Sequence, residues 1–435
     1  MDAYEIMEMA MKKGVDEVSV ILNQRERVQV RYSNSRVDII NNWVSENATV
    51  YLIKGKRVLG ITVTPLRPVD EQIDEALGIL RTIPENPEFA GLNDKKQTYS
   101  SPSVDPFIRD FEEVVDVARE AIEGARRKGV SSSSGVVYHN KIIRETVTPY
   151  NSVRDEMASI ELTLRAKNEE GYYGTAAAMY GTRDDYARFP PGNIGEEAAS
   201  YATMATRVTE GEEGKYDILM HPLCFASLIS HSAHFLSALY VDSGMSMFTD
   251  MIGKEVASEM LTVHDDSLMP GSGHRVADEE GTATKRVTVI ERGVLRTYLH
   301  NNSTAKKFKA DLTGHAGIIS PTPWQLRVEP GRDSYHDLLG EMKRGLFIVN
   351  TWYTRFQDYR NGIFSTIPRD GMFYVEDGEI VGAWKGIRIS DSMLGLFRNV
   401  ESVSSEVRKI KWWDETLPLE SPYVLVRDVN ITRSK

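Results

Sequence analysis

Residues 218–241, ILMHPLCFASLISHSAHFLSALYV, contain no Asp, Glu, Lys or Arg, in a chain whose residues are 26% charged. An uncharged stretch of that length must either cross a bilayer or be buried inside a protein. It holds three histidines, four serines and a proline, and no polybasic flank follows it. The sequence therefore predicts a buried core helix rather than a membrane span. Pro222 suits the start of that helix, with His221 as its cap.

The remaining 411 positions of the 435-residue chain are too many for one core, so two or three domains are expected. A net charge of −11 argues against a broad nucleic-acid surface, which needs clustered Lys and Arg. The single cysteine, Cys224, rules out an intramolecular disulfide and fits a reducing compartment. The N-terminal MDAYEIMEMAMKKG carries acids and no apolar core, unlike a signal peptide. A soluble, cytoplasmic protein with no membrane or nucleic-acid partner is the expectation.

Periodicity predicts an α+β chain. Ala3–Lys13 reads as an amphipathic helix stopped by Gly14. Alternation follows at Val18, Val20 and Leu22, and again at Val28, Val30 and Tyr32. TVYLIKGKRVLGITV reads as a hairpin across Lys54-Gly55-Lys56, and Ile73, Ala76, Leu77 and Leu80 share a helical face. After a linker at Asn93–Val104 the order repeats. Asp105 and Pro106 suit a helix start, and Phe107, Ile108, Phe111, Val114, Val115, Ala118 and Ile122 form a stripe. Strand-like GVVYHN and ASIELTLRA and a helix near Gly195–Arg207 complete this unit. The expected division is an α+β unit over 1–92, a second and related unit over 105–210, and a β-rich domain over 214–435 around the buried helix. In that last part KRVTVIERGVLRTYLHN and GMFYVEDGEIVGAW read as hairpins, and LFIVNTWYTRF as a central strand.

The histidines of the uncharged run invite a metal reading. On a regular helix His231 and His234 lie about one turn and ~60° apart, close enough to share an ion. Cys224 is seven residues from His231, ~10.5 Å along the axis, too far for joint ligation at the ~2.0–2.3 Å of zinc bonds. A zinc peptidase also needs a glutamate beside the first histidine. Here the neighbours of His231 are Ser230 and Ser232. Two satisfied core histidines are the favoured local reading.

Five strings in order carry a family resemblance: EGKYDILM, LISHSAHFLSALYVDSGMSMFTDMIGKEVAS, VADEEGTATKRVTVIERGVLRTYLHNNSTAKKF, LTGHAG and MFYVEDGEIVGAWKGIRIS. Together they resemble the TldD/PmbA family, a heterodimeric metalloprotease family, over most of residues 214–400. The resemblance implies that the catalytic subunits bear HExxxH on this helix and complete a zinc site with a late cysteine. On this chain His234 falls at the second histidine, Ile229 at the first and Ser230 at the glutamate, and LPLESPYVLVRD holds no cysteine. The resemblance thus points to the non-catalytic TldE/PmbA subunit, with no catalytic residue and no metal or cofactor of its own. It implies zinc in a TldD-like partner carrying HExxxH, and unfolded or extended peptides as substrates.

His231, His234, His274 and His315 are the peptide-contact candidates. PGSGH (Pro270–His274) reads as a mobile surface loop, and His315 sits in TGHAG. His264-Asp265-Asp266 reads as a turn, SSSSG (Ser131–Gly135) as a flexible link, and KWWDE (Lys411–Glu415) as an interface anchor or core segment. Two other functions remain open: a self-sufficient peptidase using His231, His234 and a distant acid, or a non-enzymatic binding module, as the family's older name, modulator of DNA gyrase, suggests.

Overall fold

The two alternating runs at Val18–Leu22 and Val28–Tyr32 belong to one strand, β1 (Glu17–Ser33). A computed structural model describes residues 2–65, 67–100, 110–205 and 207–433. Val18, Val20, Leu22, Val28, Val30 and Tyr32 are all buried on one face of β1. They pack against helices α1 (Ala3–Lys12), α2 (Val69–Leu80) and α3 (Phe111–Arg127). Strands β2 (Arg36–Lys54) and β3 (Arg57–Val63) form the expected hairpin, closing at the Lys54–Arg57 pair.

The second unit repeats the order of the first: α3, then β4 (Ser132–Val147), β5 (Ser152–Lys167) and β6 (Tyr173–Tyr180). Two helices follow, α4 (Arg183–Arg188) and α5 (Pro191–Met204). β1 and β4 pair antiparallel from Val20–Val147 to Tyr32–Gly135, so both units share one sheet, ordered β3-β2-β1-β4-β5-β6. α3 is capped by Asp110, whose carboxylate accepts from the Glu113 N–H at 3.0 Å. The start expected at Asp105-Pro106, with Phe107 and Ile108, lies outside the described residues. Residues 132–135 of SSSSG are not a flexible link but the start of β4. Ser35 fixes them, donating its N–H to the Ser133 carbonyl (2.8 Å) and accepting from the Ser133 N–H (2.9 Å). α3 and α5 meet backbone to backbone, since a Cβ at Gly195 would stand 1.9 Å from the Ala121 carbonyl.

The β-rich part begins with β7 (Val208–Glu210) and β8 (Gly214–Met220). After helix α6 (Pro222–Ala233) come β9 (Val263–Asp266), β10 (Arg286–Glu291), β11 (Val294–Leu295) and β12 (Leu326–Val328). β13 (Arg344–Asp358), β14 (Ile363–Glu376) and β15 (Glu379–Lys385) follow. β16 (Ile387–Ser392), β17 (Val400–Ile410) and β18 (Leu419–Arg433) complete it. The pairings β18–β8, β8–β13, β13–β14, β14–β16 and β16–β18 join end to end, so these five strands close into a ring. The hairpins expected at Glu291–Gly293 and Asp377-Gly378 are present as tight turns, with both central residues at positive φ in each. The chain is thus α+β, with a β-rich C-terminal region around a buried helix.

The uncharged run is not a single helix. Ile218–Met220 end β8, Pro222–Ala233 form α6, His234–Leu236 make a 3-10 turn, and Ala238–Asp242 a short further helix. The chain leaves helical geometry at Ser237 (ψ 124), and the Ala238 N–H goes to the Leu299 carbonyl at 3.0 Å. His221 does cap α6, its Nδ1 accepting from the Leu223 N–H at 3.0 Å. Among the described residues no helix is long and apolar enough to cross a membrane.

Charge pairs bind the two parts together. Arg165 grips Asp370 with two bonds of 2.6 and 2.8 Å. At the start of α6, Glu197 of α5 accepts from Arg408 of β17 and lies 3.1 Å from His221 Nε2. Burial would push the Glu197 carboxyl up, but Arg408 and His221 outweigh it and hold it at about 2. Burial also lowers the His221 pKa, more than Glu197 raises it. Arg408→Met leaves the Glu197 carboxylate buried without its cation, so a loss of about 3–5 kcal/mol is expected in urea titrations at neutral pH. The wild type should weaken in acid in two stages: the His221 contribution fades below pH 6.5, and that of Glu197 between pH 4.5 and about 2. Arg408→Met should abolish the second stage.

Candidate functional site

The C-terminal end of α6 carries the positions that the resemblance singles out. Ile229 is core, 4% exposed, and Ser230 is fully buried. The Ser230 hydroxyl donates to the Ser227 carbonyl at 3.0 Å, and the Ser230 carbonyl accepts from the Thr416 hydroxyl at 2.8 Å. Such back-bonding lets an uncharged helix bury hydroxyls without leaving them unpaired. His231 is in the last turn, and His234 is the residue after the helix. Burial first, and then His231, lower the His234 pKa, so its imidazole is neutral at pH 7.

A strap formed by Lys411–Thr416 closes over this end. Asp414 accepts from the Ser227 hydroxyl (3.1 Å) and the Tyr353 N–H (3.4 Å), and lies 3.8 Å from His231 Nε2. Lys411 Nζ donates to the Trp412 carbonyl at 3.1 Å, holding the strap in its turn. Trp352 sits 6.2 Å from Trp412 and 5.3 Å from Trp413, and Arg369 lies over Trp352 at 4.8 Å. Trp413 and Tyr353 are about half exposed, with their rings 5.9 Å apart.

Several buried polar atoms here have no partner: both side-chain ends of Asn350, the Thr351 hydroxyl, Trp352 Nε1, His231 Nε2 and both Glu415 oxygens. Such orphans are rare in native interiors and call for an explanation. Burial pushes the Glu415 carboxyl up to about 8, aided by Asp414 and opposed by Lys411.

Ile229 offers no donor, the Ser230 hydroxyl is bonded to its own helix, and Asp414 is held by Ser227 and Tyr353. Among the described residues no three of His, Cys, Asp and Glu stand close enough to hold a metal ion. Cys224 is fully buried, and burial raises its thiol pKa.

The remaining candidates lie elsewhere. Pro270–His274 is not a mobile surface loop. It is wedged between the two sheets, where Gly273 N–H donates to Gln325 (3.1 Å) and the Ser272 hydroxyl contacts Met179 sulfur (3.2 Å). His274 is 4% exposed and His315 fully buried. His315 stacks on Trp324 (6.2 Å), its Nδ1 2.9 Å from the Thr313 carbonyl and its Nε2 3.2 Å from Asp265. His264-Asp265-Asp266 is strand β9 rather than a turn, and its side chains go apart: His264 to Glu329, Asp265 to the Trp324 N–H, Asp266 to Arg286. Only His231 and His234 of the four histidine candidates share a site. Sequence reasoning missed Asn350, Thr351 and Glu415. The one available signal was KWWDE, two tryptophans beside two acids.

A helix buried in a strand ring, with a tryptophan strap at its C-terminal end, is a metallopeptidase-type domain by comparison. Residues 213–433 match the family model described as PmbA/TldA metallopeptidase C-terminal domain. The chain belongs to the PmbA/TldD family. It is 29% identical over 222 residues to a metalloprotease of Methanocaldococcus jannaschii, covering 49% of each chain. It is 26% identical over 203 residues to metalloprotease PmbA of Escherichia coli O157:H7, covering 44% of this chain and 43% of that one. The chain thus spans about half the length of the curated relatives it matches. Among solved structures, TldE from Thermococcus kodakarensis superposes with a TM-score of 0.84 at 20% identity, covering 99% of this chain and 100% of that one. That likeness is one of fold.

An acid whose burial outweighs the compensation around it destabilises the fold once it ionises. Glu415→Gln should therefore stabilise the protein, by on the order of 2 kcal/mol at pH 8.5 and much less at pH 5. The sign follows from the raised carboxyl: stability is complete below the ordinary Glu range and falls as pH rises toward about 8. Urea titrations at the two pH values measure it.

Proposed function

We propose that this chain is a TldE/PmbA-like, non-catalytic subunit that pairs with a TldD-like zinc metallopeptidase and presents extended peptides to it. The carrying observation is the end of α6. Where the resemblance places a zinc-binding histidine and the general base, this chain has core residue Ile229 and helix-bonded Ser230. Without that glutamate no side chain there activates water, and His231 and His234 alone make a poor zinc site. The partner subunit would supply zinc and HExxxH.

Peptide binding is supported by the exposed aromatic pair beside the strap. Trp413 and Tyr353 are about half exposed, with their rings 5.9 Å apart. Exposed aromatics of this kind bind the side chains of an extended peptide. The acidic charge of −11 and the lone buried cysteine suit a cytoplasmic protein that does not bind nucleic acid.

The purified chain should carry less than stoichiometric zinc, by elemental analysis, and His234→Ala should leave that value unchanged. Unfolded peptide should be cleaved only after a HExxxH-bearing homologue is added. Cleavage by the chain alone, or zinc lost on His234→Ala, would overturn the reading. Trp413→Ala should weaken peptide binding by roughly tenfold without lowering thermal stability.

A further inference from the structure

The outer edge of β2 is open over much of its length. β3 covers it only from Ala48 to Lys54, and no described strand pairs with residues 36–47 on that side. Within this stretch Ile39, Ile40, Trp43 and Val44 are 44, 47, 46 and 80% exposed. Because strand side chains alternate, Ile39 and Trp43 share one face, and Ile40 and Val44 the other. A long apolar edge of this kind templates further strand pairing, and proteins blunt such edges with charge, proline, shortness or bulges. The one irregularity here is a register shift opposite Asp38, at one end. Residues 39–44 contain neither charge nor proline.

We propose that this edge pairs antiparallel with the same edge of a second copy of the chain, about a two-fold axis at Asn41. Asn41 stands midway between Ile39 and Trp43, and midway between Arg36 and Glu46. A two-fold through Asn41 sets Ile39 of each copy opposite Trp43 of the other, on the same face. It also brings the exposed basic end at Arg36 toward the exposed acidic end at Glu46, so the charges of the two copies complement each other. The result is a sheet continuous across the two copies, in which residues 36–46 of each are paired on both sides. This goes beyond the peptide-binding reading and does not depend on it.

Asn41→Cys tests the register. Opposed residues in an antiparallel pair have Cα atoms about 4.5–5.5 Å apart, within disulfide reach. Oxidation should yield a disulfide-linked dimer on a non-reducing gel, and the natural Cys224, fully buried, should not contribute. An Ile39→Cys and Trp43→Cys mixture should cross-link with each other in preference to themselves. Sedimentation of the wild-type full chain should show a concentration-dependent dimer in the micromolar range. Ile39→Lys with Trp43→Lys, which sets ammonium against ammonium, should weaken it at least about tenfold with unchanged circular dichroism. A wild type that stays monomeric, including one that uses this edge only for a homologous subunit or a peptide, overturns the proposal. So does a dimer that withstands the lysine pair, or a position-41 thiol that fails to link.

Discussion

Everything in the β-rich part answers to the burial of one uncharged helix. Eleven of the twelve residues of α6 are buried, and a helix apolar on all sides has no stable place in water. The ring of β8, β13, β14, β16 and β18 gives it walls, with Ile218, Ile348, Phe364, Ile389, Val424 and Val426 in the same core. Its serines bond back to helix carbonyls or, for Ser227, reach Asp414. Polar clusters meet it at both ends. One end holds the Glu197–His221–Arg408 cluster that fastens the front sheet. The other holds the strap and its orphaned polar atoms. Structure and candidate function thus occupy opposite ends of the same twelve residues.

Much of the architecture was legible because strand and helix periods are strong signals. Hairpins with Gly in their turns were readable to the residue, as at Lys54–Arg57 and Asp377-Gly378. Misreadings arose where tertiary contacts override local composition. SSSSG looks flexible until Ser35 pairs with Ser133, and PGSGH looks mobile until Gly273 and Ser272 find Gln325 and Met179. The uncharged run is buried except near Leu239 and Tyr240, but its breaks at Met220 and Ser237 depend on strand pairing and on Leu299, which no local pattern reveals.

The site was legible in part. His231 falls in the last turn of α6, while His234 lies just beyond the helix, at the start of a 3-10 turn. Glu415, Asn350 and Thr351 come together across long separations in the chain, and ordinary residues of that kind carry no sequence signature. The DEEG string of the family resemblance is a turn held by Asp278, whose carboxylate accepts from the Glu280, Thr282 and Ala316 N–H groups. A recurring motif there can reflect backbone geometry as readily as chemistry.

β18 lies in the middle of its sheet, bonded to β8, β12, β16 and β17. During synthesis α6 leaves the ribosome some two hundred residues before that strand does. Until residues 419–433 emerge, the most apolar helix of the chain has an unfinished wall and must wait, collapsed or chaperoned. Such long-range closure is slow by nature. A nascent chain of this protein is therefore most vulnerable to aggregation over the whole interval between its helix and its central strand, and any stop codon in that interval yields a product that cannot close.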